Sequence, residues 1–85
     1  MNKEKLLQRV LQGGNNVSFE DFRKLVECFG FNLDRVHGSH FIFKRVDIGA
    51  LVNIQNVLGK AKRYQIKQFL SIVERHNLKL EDKQQ

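Results

Sequence analysis

Residues 37–45 read His-Gly-Ser-His-Phe-Ile-Phe-Lys-Arg, and this stretch predicts a tight turn that leads into a β-strand. Gly38 can adopt the positive φ that such a turn often needs, and Ser39 can hydrogen-bond its own backbone there. The residues after the turn are aromatic or β-branched, as strands favour. Because side chains alternate along a strand, we expect the two phenylalanines to face the core and His40 to face outward with Lys44.

Helices and further strands are predicted on both sides of this stretch. An S-x-x-D motif at Ser18 starts the second helix, and Gly30 is placed to end it. The pattern over 31–36 and 50–55 predicts one strand before and one after the strand at 40–45. In chain order, the predicted elements are helices over 3–12 and 18–29, strands over 31–36, 40–45 and 50–55, and a helix from about residue 62 to residue 76.

This order of elements predicts an α+β fold. We expect a three-stranded antiparallel sheet with helices packed on one face and the other face open to solvent. The α-β-β-β-α core follows the order of double-stranded RNA-binding domains, with one extra N-terminal helix. We divide the chain into a helix with a Gly-Asn hinge (1–16), a core domain (17–78) and a polar tail (79–85) that we expect to fray.

The charge of the chain points to a polyanionic partner. The 85 residues carry a net charge of +6, and residues 35–67 hold seven Lys or Arg side chains against one Asp. Such a field attracts nucleic acid, an acidic protein or an acidic membrane surface. The membrane surface is disfavoured because no basic amphipathic helix stands out in the sequence. No apolar run approaches the ~20 residues of a membrane span, and the N-terminus lacks the apolar region of a secretory signal. With one Cys, no intramolecular disulfide can form, so we expect a cytoplasmic protein. Because no apolar run is long enough for a span, we expect no membrane partner.

Two groups of residues resemble a known family. Gly-Ser-His at 38–40, entering a Phe-Lys strand after a helix that ends in Phe-Gly-Phe (29–31), is similar to the HicA mRNA interferase toxins. A second motif over 53–68, Asn-Ile-Gln, Gly-Lys-Ala-Lys and Tyr-Gln-Ile-Lys-Gln, resembles one branch of that family. The resemblance covers roughly residues 18–76. It implies a double-stranded-RNA-binding-like fold, metal-independent cleavage of mRNA and a HicB-like antitoxin that covers the active face, and it places the family's catalytic histidine on His40.

The chemistry of RNA cleavage suits an exposed histidine among cations. RNA carries its own nucleophile, the 2′-OH, so cleavage needs a group that takes its proton and charges that stabilise the phosphate. An imidazole, with a usual pKa near ~6.5, suits this transfer, and His40 is assigned as general acid/base. The predicted RNA-binding residues are Gly38, Ser39, Lys44, Arg45, Lys60 and Lys62.

The other candidate groups receive simpler interpretations. His37 could be a second proton carrier, but we interpret it as an incidental turn residue, and His76 as a surface residue. Cys28 is interpreted as a small buried hydrophobe. No Cys/His spacing or carboxylate pair predicts a metal site, and no small-molecule cofactor is expected.

Two other functions fit the same pattern. A non-catalytic RNA-binding module would use the same basic face, with His40 contacting only phosphate or 2′-OH. A protein-interaction domain would instead bind an acidic partner there. RNA cleavage distinguishes the first function from both, and the absence of nucleic-acid binding at low salt would favour the third.

Overall fold

The computed structural model describes residues 2–13 and 16–81 and confirms the predicted α+β architecture. Two helices are followed by three antiparallel strands and a last helix, and a short 3₁₀ turn joins the second and third strands. The elements are α1 (Lys3–Gly13), α2 (Phe19–Cys28), β1 (Asn32–His37), β2 (His40–Arg45), the 3₁₀ turn (Val46–Ile48), β3 (Ala50–Gln55) and α3 (Arg63–Arg75). None of the helices in this described part of the chain is long and apolar enough to cross a membrane.

The second helix begins and ends as its sequence predicts. The Ser18 side chain accepts a hydrogen bond from the backbone N–H of Asp21 at 3.0 Å, which satisfies one of the unpaired donors of the first turn. Gly30 follows the helix at φ 89°, a left-handed conformation that glycine adopts without strain. The buried residues of α2 are Phe19, Phe22, Leu25 and Val26.

The sheet has the strand order β1-β2-β3, so β2 is the middle strand. The turn between β1 and β2 consists of two residues, Gly38 and Ser39, and Gly38 has φ 59°. A glycine with positive φ at the first turn position is typical of the type II′ hairpin, whose twist matches that of the flanking strands. The turn therefore fixes the register of the hairpin, with His37 directly opposite His40.

The two faces of the sheet differ as the alternation predicts. Phe43 is fully buried on the helix-covered face, and Phe41 packs against the same core at 4.8 Å from the ring centroid of Phe19. Opposite them on β3 lie the buried Ile54 and Val52. The α3 residue Phe69 is surrounded by three rings in edge-to-face contact, those of Phe22, Phe29 and Phe31. On the opposite face, the side chains of His37, Lys44 and Asn53 are exposed, and no helix of the described residues covers them.

The first strand differs from its prediction. It starts at Asn32 rather than residue 31, because Phe31 is buried in the core at 1% exposure before the strand begins. A register shift between Leu33 and Arg35 leaves Asp34 without a partner on β2, as in a β-bulge. All six residues of this edge strand are exposed, and the simple alternation expected over 31–36 is lost.

Both ends of the chain are more integrated than predicted. Leu6 and Val10 of α1 belong to the same buried cluster as the core domain, so α1 and the other elements share one core. The helix extends to Gly13, the first of the four predicted hinge residues (13–16), and Gly14 and Asn15 of that hinge lie outside the described residues.

The expectation that the tail frays is wrong for its first three residues, 79–81. The backbone N–H of Glu81 donates to the carbonyl oxygen of Cys28 at 2.7 Å, and Leu80 packs against the core. The apolar Leu80 explains the difference, because its burial holds this segment against the domain. The remaining tail residues, 82–85, lie outside the described part of the chain.

Candidate functional site

Two histidines face each other at the turn end of the open sheet face. His37 and His40 are direct partners in the β1–β2 register, on either side of the Gly38-Ser39 turn. Directly opposed residues in antiparallel strands share one face, and their Cβ atoms lie about 4.5–5.5 Å apart. The structure thus brings together His40, the predicted catalytic residue, and His37, which the sequence pattern had suggested was incidental.

The imidazole of His40 is oriented by an amide on the neighbouring strand. Its Nδ1 lies 3.2 Å from Oδ1 of Asn53 on β3. An amide oxygen only accepts hydrogen bonds, so Nδ1–H is the donor in this pair. In the neutral ring Nε2 then carries the lone pair, and it is the nitrogen left to accept a proton.

A second set of amide contacts holds the turn against β3. Nε2 of Gln55 donates to Oγ of Ser39 at 3.2 Å, and the N–H of Asn56 donates to the Ser39 carbonyl at 2.9 Å. Gln55 is held in turn by Gln65 of α3, whose Oε1 accepts from the Gln55 backbone N–H at 2.8 Å. Gln65 is buried at 3% exposure, so this amide ties the histidine end of the sheet to the helix layer.

Three polar residues of this site were not assigned a role from the sequence: Asn53, Gln55 and Gln65. The first two alternate with the buried Ile54 on β3, and this polar spacing across from His40 was the available indication. Gln65 gave no such indication, because a glutamine on a helix normally faces solvent.

Lys44 lies on the same face as His40 but at the other end of β2. Four residues at about 3.3 Å each separate the two positions by roughly 13 Å. The ammonium of Lys44 lies 3.3 Å from a carboxylate oxygen of Asp34, which also accepts a hydrogen bond from Arg35. These hydrogen bonds, first from Arg35 and then from Lys44, lower the pKa of the Asp34 carboxyl. Lys44 shares the face of His40 as predicted, but its ammonium does not lie beside the imidazole. It is ion-paired with Asp34 at the other end of β2.

Arg45 lies on the face of β2 opposite to that of His40, and its prediction as an RNA-binding residue stays a prediction. The alternation of β2 places it on the helix side of the sheet, where its side chain is only 18% exposed. Its guanidinium donates to the carbonyl oxygen of Phe29 at 2.9 Å and to the carboxylate of Asp47 at 3.0 Å, and it lies 3.4 Å from a Glu81 oxygen. These contacts join β2 to the end of α2 and to the C-terminal segment, so Arg45 has a structural role.

The loop that carries Lys60 and Lys62 leaves the sheet at the histidine end. It starts at Asn56, whose N–H contacts the turn, and reverses in a tight turn closed by two backbone hydrogen bonds of 3.0 Å between Val57 and Lys60. The Lys60 ammonium donates to Oδ1 of Asn16 at 2.6 Å, and Lys62 lies 5.4 Å from the ring centroid of Tyr64. Neither lysine has a carboxylate partner among the described residues, so both charges remain uncompensated there.

The described residues offer neither a metal site nor an activated thiol. Within residues 2–13 and 16–81, no cluster of three or more His, Cys, Asp or Glu side chains could hold a metal ion. Burial raises the pKa of the Cys28 thiol, which disfavours the thiolate that a nucleophile requires. His76 caps the end of α3 and is exposed.

No protein-family model, curated protein or solved structure matches this chain. The site is therefore interpreted from its own groups. Two imidazoles with hydroxyl and amide donors occur at one end of the open sheet face. A loop with two lysines leaves the sheet there and pairs with the residues before α2. Such an arrangement can move protons at neutral pH and can bind a negatively charged backbone.

Proposed function

We propose that the chain is a metal-independent endoribonuclease that cleaves mRNA with His40 as general acid/base. The observation that supports this most is the imidazole of His40 on the open face of the middle strand, with Nδ1 held by Asn53 and Nε2 left to exchange protons. The similarity of Gly38-Ser39-His40 to the HicA toxins supports the same function. By that resemblance the protein is the toxin of a type II toxin–antitoxin pair and acts in the cytoplasm.

The proposed reaction uses the nucleophile that RNA supplies. Nε2 of His40 takes the proton of the 2′-OH, which then attacks the adjacent phosphorus. A positioned group of this kind contributes roughly 10²–10⁴-fold to the rate. It also explains why the reaction can proceed without a metal: the 2′-oxygen is activated by the imidazole rather than by a bound cation.

The turn and the loop after β3 supply the phosphate-binding groups. Gly38 has no side chain, so a phosphate can approach its backbone, and the Ser39 hydroxyl can donate to a phosphate oxygen. Lys60 and Lys62 add positive charge on the adjacent loop. Lys44 is a more distant contact, available only to an RNA that extends along β2 and displaces Asp34 from its ammonium.

A HicB-like antitoxin is the proposed protein partner. It would bind the open face and cover His40, as the resemblance implies. The net charge of +6 predicts that the surface of such a partner is acidic where it meets the loop lysines.

The test compares three proteins on a labelled mRNA in the presence of EDTA. The unsubstituted protein and His40→Ala form the main pair, and His76→Ala is the matched control, because His76 is exposed at the end of α3. We expect the unsubstituted protein and the control to cleave equally, and His40→Ala to lose roughly 10²–10⁴-fold in rate. Equal cleavage by His40→Ala, or loss of the unsubstituted protein's cleavage in chelator, would contradict the proposal.

The same experiment separates the alternatives. RNA binding that weakens steeply with salt, without cleavage by any of the three proteins, would instead support a non-catalytic RNA-binding module. Failure to bind RNA at low salt would support a protein-interaction domain with an acidic partner.

A further inference from the structure

We propose that His37 is a second catalytic residue, the general acid that protonates the 5′-oxygen as it leaves the phosphorus. This inference rests on the proposed ribonuclease function. It assigns to His37 a step that His40, acting as base on the 2′-OH, cannot perform at the same time. The two steps need one unprotonated and one protonated group, and the hairpin holds two imidazoles.

The register of the hairpin carries the inference. Because the turn contains only Gly38 and Ser39, the chain leaves His37 and His40 as the pair that closes the hairpin. Directly opposed residues of an antiparallel pair have Cβ atoms about 4.5–5.5 Å apart, so a phosphate placed over the turn can reach both rings. A one-residue change in the turn would move one ring to the helix side, and the pairing would be lost.

The surroundings of the two rings differ in a way that assigns their roles. His40 donates from Nδ1 to Asn53, which leaves its Nε2 as an acceptor. His37 is exposed and makes no hydrogen bond or ion pair with another described side chain, so either of its nitrogens is free to deliver a proton. A ring with a fixed acceptor suits the base, and a ring with a free donor suits the acid.

The charged groups on this face are few and mostly neutralised. Arg35, two positions from His37 in the β1–β2 register, is ion-paired with Asp34, and so is Lys44 at the far end of β2. The third strand contributes only the neutral side chains of Asn53 and Gln55 near the rings. In the β1–β2 register each of the two histidines therefore lies directly opposite the other.

The proposed step balances in atoms and protons. His40 Nε2 removes the 2′-OH proton as the 2′-oxygen forms a bond to phosphorus. The bond between phosphorus and the 5′-oxygen breaks, and that oxygen takes a proton from the His37 imidazolium. The products are a 2′,3′-cyclic phosphate and a 5′-hydroxyl, with His40 protonated and His37 neutral. Proton exchange with water then resets both rings.

The test uses a leaving group that needs no proton. An RNA with a single bridging sulfur in place of the scissile 5′-oxygen releases a thiolate, which leaves readily without an acid. We expect His37→Gln to cleave ordinary RNA roughly 10²–10⁴-fold more slowly than the unsubstituted protein, yet to cleave the sulfur-bridged RNA within a few-fold of it. His40→Gln should be slow on both substrates, and His76→Gln should match the unsubstituted protein on both.

The dependence of rate on pH gives a second readout. A base must be unprotonated, so the rate rises with pH, and an acid must be protonated, so the rate falls at higher pH. The unsubstituted protein should show both limbs on ordinary RNA. His37→Gln should lose the fall at high pH and keep the rise at low pH.

The possible outcomes separate this inference from the function on which it rests. Cleavage of both substrates by His37→Gln at the unsubstituted rate would overturn the role of His37 and leave His40 in place. Equal slowing on both substrates would also overturn it, because His37 would then act elsewhere than at the leaving oxygen. No cleavage of either substrate by the unsubstituted protein would overturn the ribonuclease function itself.

Discussion

The two ends of β2 are held in place by different kinds of interaction. At one end, Lys44 and Arg45 each have a carboxylate partner. At the other end, His40 is hydrogen-bonded to the amide of Asn53, and the adjacent Ser39 to the amide of Gln55. An incoming phosphate must compete with carboxylates at the first end, whereas at the second it meets imidazoles and neutral donors.

The comparison shows that a positive charge in the sequence is not the same as a positive charge available to a ligand. Lys44 and Arg45 are adjacent and point to opposite faces of the sheet, yet acidic side chains neutralise both. The histidine end has no ion pair to either imidazole among the described residues. Lys60 and Lys62 follow on the loop that starts beside the turn, and Lys60 forms a β-bridge with Ser18 before α2.

The largest change in the free energy of unfolding is expected when the contacts of Arg45, at the ion-paired end of β2, are removed. Arg45→Met removes the hydrogen bond to the Phe29 carbonyl and leaves the partly buried Glu81 without this partner. We expect the free energy of unfolding to fall by about 2–3 kcal/mol, because a partly buried acceptor and carboxylates lose a charged donor. Urea denaturation followed by circular dichroism measures this change, and RNA cleavage by the folded variant should be unchanged.

Arg35→Met is the matched control for this variant. It also removes an arginine paired with an aspartate, but the Arg35 side chain is 54% exposed. Exposed ion pairs contribute about 0–1 kcal/mol, so the control should be nearly as stable as the unsubstituted protein. Equal destabilisation by the two substitutions would show that Arg45 has no special structural role. The ion-paired end of β2 would then not be held by the contacts of Arg45.

The sequence predicted the fold because its local patterns agree with one another. The capping serine before α2, the Gly-Ser turn and the alternating phenylalanines of β2 each depend on neighbouring residues, and the structure confirms all three. The first strand and the tail were predicted less well, since the positions of Phe31 and Leu80 depend on core contacts distant in the chain. Long-range packing decided those segments, and periodicity alone does not show it.

A smaller effect is expected when the amide-held end is perturbed. Gln65→Met keeps the length of the side chain but removes the acceptor of the Gln55 backbone N–H. A partly buried donor without an acceptor lowers the free energy of unfolding by about 1–2 kcal/mol. Since Gln55 also contacts Ser39, the rate of RNA cleavage should fall with it.

The control for this change is Gln68→Met on the same helix, where residue 68 is exposed. Thermal or urea unfolding compares the two variants directly, and it should show a difference only for Gln65→Met. A Gln65 variant with unchanged stability and unchanged cleavage would mean that β3 keeps its position without this amide. The buried residues of β2 and β3 would then suffice to hold this end of the sheet against the helices.

Only part of the arrangement around His40 could be predicted from the sequence, because some of its contacts come from residues distant in the chain. His40 and the turn are contiguous in sequence, so their placement in one hairpin could be predicted from it. The role of Arg45 could not be settled from adjacent residues, because its partners Phe29 and Glu81 come from other elements. The pairing of His37 with His40 was implied by the two-residue turn, and only the register shows that both rings share one face.

The smallest expected effect concerns the acid titration of Asp34. The hydrogen bond from Arg35, and then that from Lys44, lowers the pKa of its carboxyl below the ordinary value for aspartate. A carboxyl whose pKa is lowered by folding stabilises the protein at pH values above its unfolded pKa. That contribution is lost as the pH falls through the lowered pKa of the folded state. The effect on unfolding is small because both cations are about half exposed.

An NMR titration of the Asp34 carboxyl carbon measures this pKa. Arg35→Gln should raise it more than Lys44→Gln, because Arg35 has the larger influence, and Lys24→Gln on α2 should leave it unchanged. If Lys44→Gln also leaves the pKa of Asp34 unchanged, the ammonium is not held by this carboxylate. Lys44 would then be available to RNA, and both ends of β2 could contact the phosphate backbone rather than the histidine end alone.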